Sequence, residues 1–195
     1  MAFTLAQTDK DTFELLAPGI GPNSKKNTVY TIFTPSQRHT ILFESRSDRK
    51  VAELRGHVFS PDTITFRGKE YAQKEFLESE RSGKRTFRHS GASYYWTPGN
   101  DEDVDKLGLP SGSLQLRRGK DRLLVATFKY ASIRETELKV AKAFSTQRDF
   151  VDMVIATLVI MWRPKEDRPW NASGLARDGV ELGSGIADIV SFASD

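Results

Sequence analysis

Near the carboxyl end runs a stretch, Phe150 to Trp162 (FVDMVIATLVIMW), whose one ionisable residue is Asp152. A helix that is apolar on every face belongs inside a protein. Its longest apolar run, Met153 to Trp162, broken only by Thr157, is too short for a bilayer, which needs about 20 residues. Its β-branched content also suits a central strand, so periodicity leaves both states open. Length favours a helix over 146–162, about 25 Å long at 1.5 Å per residue. Ser145 or Thr146 stands where a cap is wanted, and Asp149 falls in the first turn, on the favourable side of the dipole. Thr157 can return its hydroxyl to the carbonyl four residues back. Pro164 stops the helix.

The chain before it reads as short strands. Thr28–Phe33, His39–Ser45, Lys50–His57, Thr63–Phe66 and Lys69–Tyr71 alternate or carry β-branched and aromatic residues. Arg85–His89, Ser93–Thr97, Ser113–Arg117, Leu123–Tyr130 and Glu137–Ala141 continue the series. Glu75–Glu78 reads as a short helical turn. Arg67-Gly68 fits a tight hairpin, with Gly supplying the positive φ. Turn signals every eight to twelve residues indicate an all-β sandwich or barrel. After Pro169 the chain becomes Gly-rich and acidic, which predicts a flexible tail over 169–195 behind a single domain over 1–168.

Charge is distributed unevenly. Residues 25–99 carry fourteen bases against eight acids, and 111–144 carry eight against three. The segment 100–110 and the tail 169–195 each carry four acids and one base. A basic body can meet phosphate on lipid, nucleic acid or nucleotide. None of the 195 residues is cysteine, so disulfides, thiol catalysis and Cys-ligated zinc are excluded. The beginning, MAFTLAQTDKDTF, lacks the basic and apolar regions of a signal peptide. The expectation is a soluble intracellular, cytoplasmic protein with no transmembrane segment, touching membranes only at their periphery.

Strands ending in one wholly apolar helix form an unusual pattern. Asn27 to Tyr30, Val51 to Leu54, Thr63 to Lys69 and Phe76-Leu77 carry it, followed by Arg85 to Arg88, Gly91, Tyr94 to Trp96, Val125-Ala126, Leu138 and Asp149 to Leu158. In this order they resemble the tubby C-terminal superfamily, with its LURP-one-related proteins and phospholipid scramblases. A fungal family of small proteins with the same expected architecture looks closer still. The resemblance covers about residues 10–165. It implies a mainly β fold: a closed barrel of about twelve strands around a central hydrophobic C-terminal helix. One departure is Met161-Trp162-Arg163-Pro164, where the family helix often ends in a charged stretch resembling Glu-Lys-Arg.

Chemistry is harder to find. His39, His57 and His89 lack ligand spacing, and no nucleophile elbow or phosphate loop occurs. Asp101, Glu102, Asp103 and Asp105 read as a solvated acidic loop, since the calcium-loop pattern is missing. No catalytic residue, metal site or cofactor is indicated. Basic clusters are the strongest local signal: Arg117, Arg118, Lys120 and Arg122 crowd one turn, with Arg81, Lys84, Arg85 and Arg88 as a second group and Lys25-Lys26 as a third. With only Asp121 nearby, the first group lacks local acids, and phosphate would suit it. Tubby domains bind phosphoinositide headgroups at a basic surface, so the resemblance implies the same chemistry in kind. Nucleic acid competes for this charge, but Phe87, Tyr94, Tyr95 and Trp96 should lie mostly in the core and not form a stacking platform. The reading is a non-enzymatic binding module for anionic lipid or phosphoinositide headgroups. A protein-interaction or structural domain is the alternative, followed by an enzyme whose site is assembled across strands.

Overall fold

A computed structural model describes residues 1–18, 27–80, 83–99, 113–130 and 136–162. The predicted tail 169–195, Arg81, Lys25-Lys26 and the acidic segment 100–110 lie outside them.

One antiparallel sheet of thirteen strands makes up the described fold. The strands are β1 Ala2–Asp9, β2 Thr12–Ala17, β3 Asn27–Ser36, β4 His39–Glu44, β5 Arg49–Arg55, β6 Thr63–Phe66, β7 Lys69–Ala72, β8 Glu78–Ser79, β9 Arg85–His89, β10 Ala92–Pro98, β11 Leu114–Arg118, β12 Leu124–Tyr130 and β13 Thr136–Val140. Three helices accompany them: α1 Gln73–Phe76, α2 Lys142–Ser145 and α3 Arg148–Trp162.

Strand order follows the chain outward from the middle in both directions, β7-β6-β5-β4-β3-β2-β1-β13-β12-β11-β10-β9-β8. The first strand therefore pairs with the last, Phe3 opposite Leu138. Alternation puts Phe3, Leu5, Phe13, Leu15, Ile32, Leu42 and Leu54 on one face, and all are buried. Against that face lies α3, with Phe150, Val154, Ile155, Ala156 and Thr157 fully covered. Tyr30 on β3 and Trp96 on β10, six places apart in the strand order, both hydrogen-bond to α3. The sheet therefore curls around the helix.

The described strands number thirteen, in keeping with the twelve or so expected, and among the described residues hydrogen bonds do not close the sheet. Its edges, β7 and β8, are joined through the chain by 73–77 alone. At two residues, β8 covers only Arg85 and Thr86 of β9. β1 and β2 also lie where no strand was expected. Their signal is weak because Gln7, Thr8 and Asp9 run exposed into the turn. The core helix starts at Arg148, after the separate turn α2, two residues later than expected. Thr157 donates to the Val154 carbonyl three residues back, at 3.0 Å, and accepts the indole N–H of Trp96 at 3.0 Å.

Candidate anionic-ligand surface

Antiparallel pairing sends alternate turns to opposite ends of the curled sheet. The end where α3 begins holds the β4–β5, β6–β7, β9–β10 and β11–β12 turns. Among the described residues, all four with positive φ other than glycine fall there: Asp48, Arg67, Ser90 and Arg122. In Arg67-Gly68 (φ 50° and 82°) and Ser90-Gly91 (φ 48° and 76°) both turn residues are left-handed, as the tightest twisted hairpins require. These compact turns bring charge together. Segments 44–50, 66–70, 88–92 and 117–123 carry ten Lys and Arg against four carboxylates. The opposite end, over 9–12, 36–39, 55–63, 72–80 and 83–84, carries five against six.

Part of this charge turns inward. Asp152 is fully buried on α3 and accepts the Tyr30 hydroxyl at 2.8 Å, Arg49 Nη2 at 2.8 Å and Arg67 Nη2 at 2.7 Å. Arg67 also reaches Asp149 at 2.5 Å. Glu44 holds Arg49 at 3.3 Å and is bonded by Arg148. Burial, then the charge of Asp152, pushes the Tyr30 phenol far above its usual range. The hydrogen bond to Asp152 raises Arg49, and the same partner raises Arg67 against the opposing pull of desolvation. Desolvation pushes Glu44 up, but hydrogen bonds from Ser47, Arg148 and Arg49 outweigh it and hold the carboxyl low. His89 packs edge-on to Phe150 at 5.4 Å, and desolvation lowers its pKa. This network pins the first turn of α3 to the surrounding strands. Its sequence signal was Asp152 itself, a lone acid in an apolar run that needs a partner.

The structure divides the basic residues singled out in the sequence. Arg118, Lys120 and Arg122 sit on the β11–β12 turn, with Arg117 just before it. The Gly119 amide of that turn bonds the Ser93 carbonyl at 2.8 Å, and Ser93 pairs with Arg88. Arg88 thus shares this end with the hairpin. Lys84 and Arg85, at the start of β9, belong to the opposite end, with Lys84 Nζ 4.8 Å over the Tyr95 ring. Arg81 lies outside the described residues.

Nor do the hairpin cations lack local partners. Asp121 takes Arg118 in a forked pair, Nε to Oδ1 at 3.0 Å and Nη2 to Oδ2, and this holds the Asp121 carboxyl at about 2. Arg117 bonds the buried Gln115 side chain at 2.6 Å and the Arg122 carbonyl at 3.0 Å. The outward charge is therefore carried by Arg46, Lys69, Arg88, Lys120 and Arg122, which make no ion pair among the described residues, Lys69 Nζ lying 5.0 Å over the Tyr71 ring. Tyr94 and Trp96 are buried, as the core reading of these rings requires, while Tyr95 is half-buried.

On the outer wall Glu53 is 6% exposed and caged by His39 at 2.9 Å, Lys50 at 2.6 Å and Arg55 at 2.7 Å. Hydrogen bonds from Lys50 and then Arg55 bring its carboxyl down to about 2. Among the described residues no three His, Asp or Glu side chains gather as metal ligands. No described helix is long and apolar enough to cross a membrane.

A sheet wrapped on a buried helix, with positive charge gathered at the turns of one end, defines a mainly β class of protein. Residues 20–167 match the model of a family of unknown function (DUF6593), and the chain belongs to that family. No curated protein and no solved structure matches it.

Proposed function

We propose that the protein is a non-enzymatic binding module that meets anionic lipid headgroups, phosphoinositides included, with the basic turns at the α3 N-terminal end. The observation that carries this reading is the imbalance of ten cations to four carboxylates on the four turns at that end. Arg88, Lys120 and Arg122 are its centre, joined by Arg46 across the rim. Arg118 and Arg117 shape the hairpin more than they bind. The curled sheet around a core helix supports kinship with the tubby-like barrels and the LURP-one-related and scramblase proteins. A location in the cytoplasm, peripheral to membranes, goes with this reading.

Co-sedimentation of the full chain with vesicles tests it, comparing phosphoinositide-containing vesicles with neutral ones at low and physiological salt. Binding to the anionic vesicles alone, weakening as salt screens the charge, is expected. Changing Arg88, Lys120 and Arg122 together to Ser should abolish it, while Lys84→Ser and Arg85→Ser should not. No binding to anionic vesicles at low salt overturns the reading and moves a protein partner to the front.

A further inference from the structure

The cavity at the seam of the sheet joins the basic surface through one residue. It lies between β7, α1 and β9 and measures about 210 Å³. Tyr71, Phe76, Phe87 and Met153 supply apolar walls. Phe76 and Phe87 are buried, and Phe76 packs 5.3 Å from Phe66 and 5.6 Å from Tyr71, so this wall is firmly held. An apolar cavity of about 150 Å³ holds a benzene ring, so this one has room for a short run of methylenes.

Its two ends differ in charge. Glu75 and Glu78 stand at one end, where Glu78 pairs with Thr86. Arg88 lines the cavity two residues further along β9, about 7 Å nearer the basic turns at 3.3 Å per residue. On the other edge, β7, Lys69 Nζ lies 5.0 Å over the ring of Tyr71. Neither cation makes an ion pair among the described residues.

We propose that the seam takes one acyl chain of the anionic lipid whose headgroup rests on the basic turns, an inference that depends on the headgroup reading above. Phosphate held by Arg88 and Lys69 leaves the lipid's glycerol at the mouth of the cavity. A chain leading from it lies between Tyr71 and Phe87 and against Met153 of the core helix. The apolar walls offer phosphate nothing to bind, and the two glutamates turn an anionic group away from the far end. Charge thus fixes how the ligand enters, with its head at the cations and its hydrocarbon inward. A headgroup alone leaves these walls in contact with water, whereas a chain covers them.

Calorimetry of the full chain with two soluble ligands tests it. One is a phosphoinositide with short acyl chains, kept below its micelle concentration; the other is the same headgroup with the chains removed. The acylated ligand is expected to bind about tenfold more tightly or better, which is the worth of two buried methylenes. Equal affinity overturns chain capture and leaves the headgroup reading standing, whereas binding of neither ligand overturns both. Met153→Trp, at a half-buried position on the cavity wall, fills the space. It should bring the acylated ligand down to the affinity of the bare headgroup and leave the bare headgroup's own binding unchanged. A folded Met153→Trp protein that keeps the full difference overturns the proposal as well, and the wild-type comparison stands whether or not that variant folds.

Discussion

Asp152 and Glu53 are both buried carboxylates held by several cations, yet they do different work. Every partner of Asp152 is remote in the chain: Tyr30 lies 122 residues away, Arg49 103 and Arg67 85. The partners of Glu53 lie within 14 residues. One acid fixes where the core helix sits within the curled sheet; the other fastens two neighbouring strands of its wall. Sequence separation, not the number of bonds, separates a contact that sets the tertiary arrangement from one that trims a local surface.

The sharpest way to break this comparison is Asp152→Ala. It removes the buried acceptor shared by Tyr30, Arg49 and Arg67, leaving the two arginines only Glu44 and Asp149, and should cost about 3–5 kcal/mol in denaturant unfolding. A loss no larger than that of Glu53→Ala would erase the distinction. Next comes Thr157→Val, which keeps the shape but leaves the buried Trp96 indole N–H without its acceptor. About 1–3 kcal/mol is expected, with a change in tryptophan emission as a second readout.

Glu53→Gln should cost about 1–2 kcal/mol at neutral pH once solvent screening of Lys50 and Arg55 is allowed for. Its pH dependence sharpens the test. The folded carboxyl is held near 2 against its ordinary 4.5. Its contribution is therefore present above 4.5 and is lost as pH falls toward 2. Melting curves of wild type and Glu53→Gln should converge over that window. The smallest effect belongs to the hairpin tip. Lys120→Ser and Arg122→Ser should leave the melting temperature nearly unchanged, since exposed charges contribute little to stability, even where they remove vesicle binding.

Local features of this fold were legible in the sequence, and pairings across it were not. The apolar run declared a buried helix through its length, since its pattern alone also suited a central strand. Arg67-Gly68 declared its hairpin through a glycine where φ must be positive. Thr63–Phe66 and Arg85–His89 were readable from alternation alone. By contrast, nothing local says that β7 and β8 fail to pair, because a seam is a relation between strands. The hairpin cations were misjudged for a similar reason. Asp121 was counted as one acid against four bases, whereas its forked geometry neutralises Arg118 and Gln115 engages Arg117. Lys84 and Arg88 looked like one cluster because they are close in sequence, but the strand between them carries them toward different ends.

Pairing of the first strand with the last has a consequence for how the chain is made. While a ribosome delivers it at about 5–20 residues per second, the free edge of β1 has no partner until 136–140 emerge, and the helix that fills the interior comes later still. For most of synthesis the strands β1 to β12 face water with the side they will later bury. Such an edge invites pairing with the wrong chain, and contacts this distant form slowly. The outer edge of β1 therefore stays open to wrong pairing until β13 has been made.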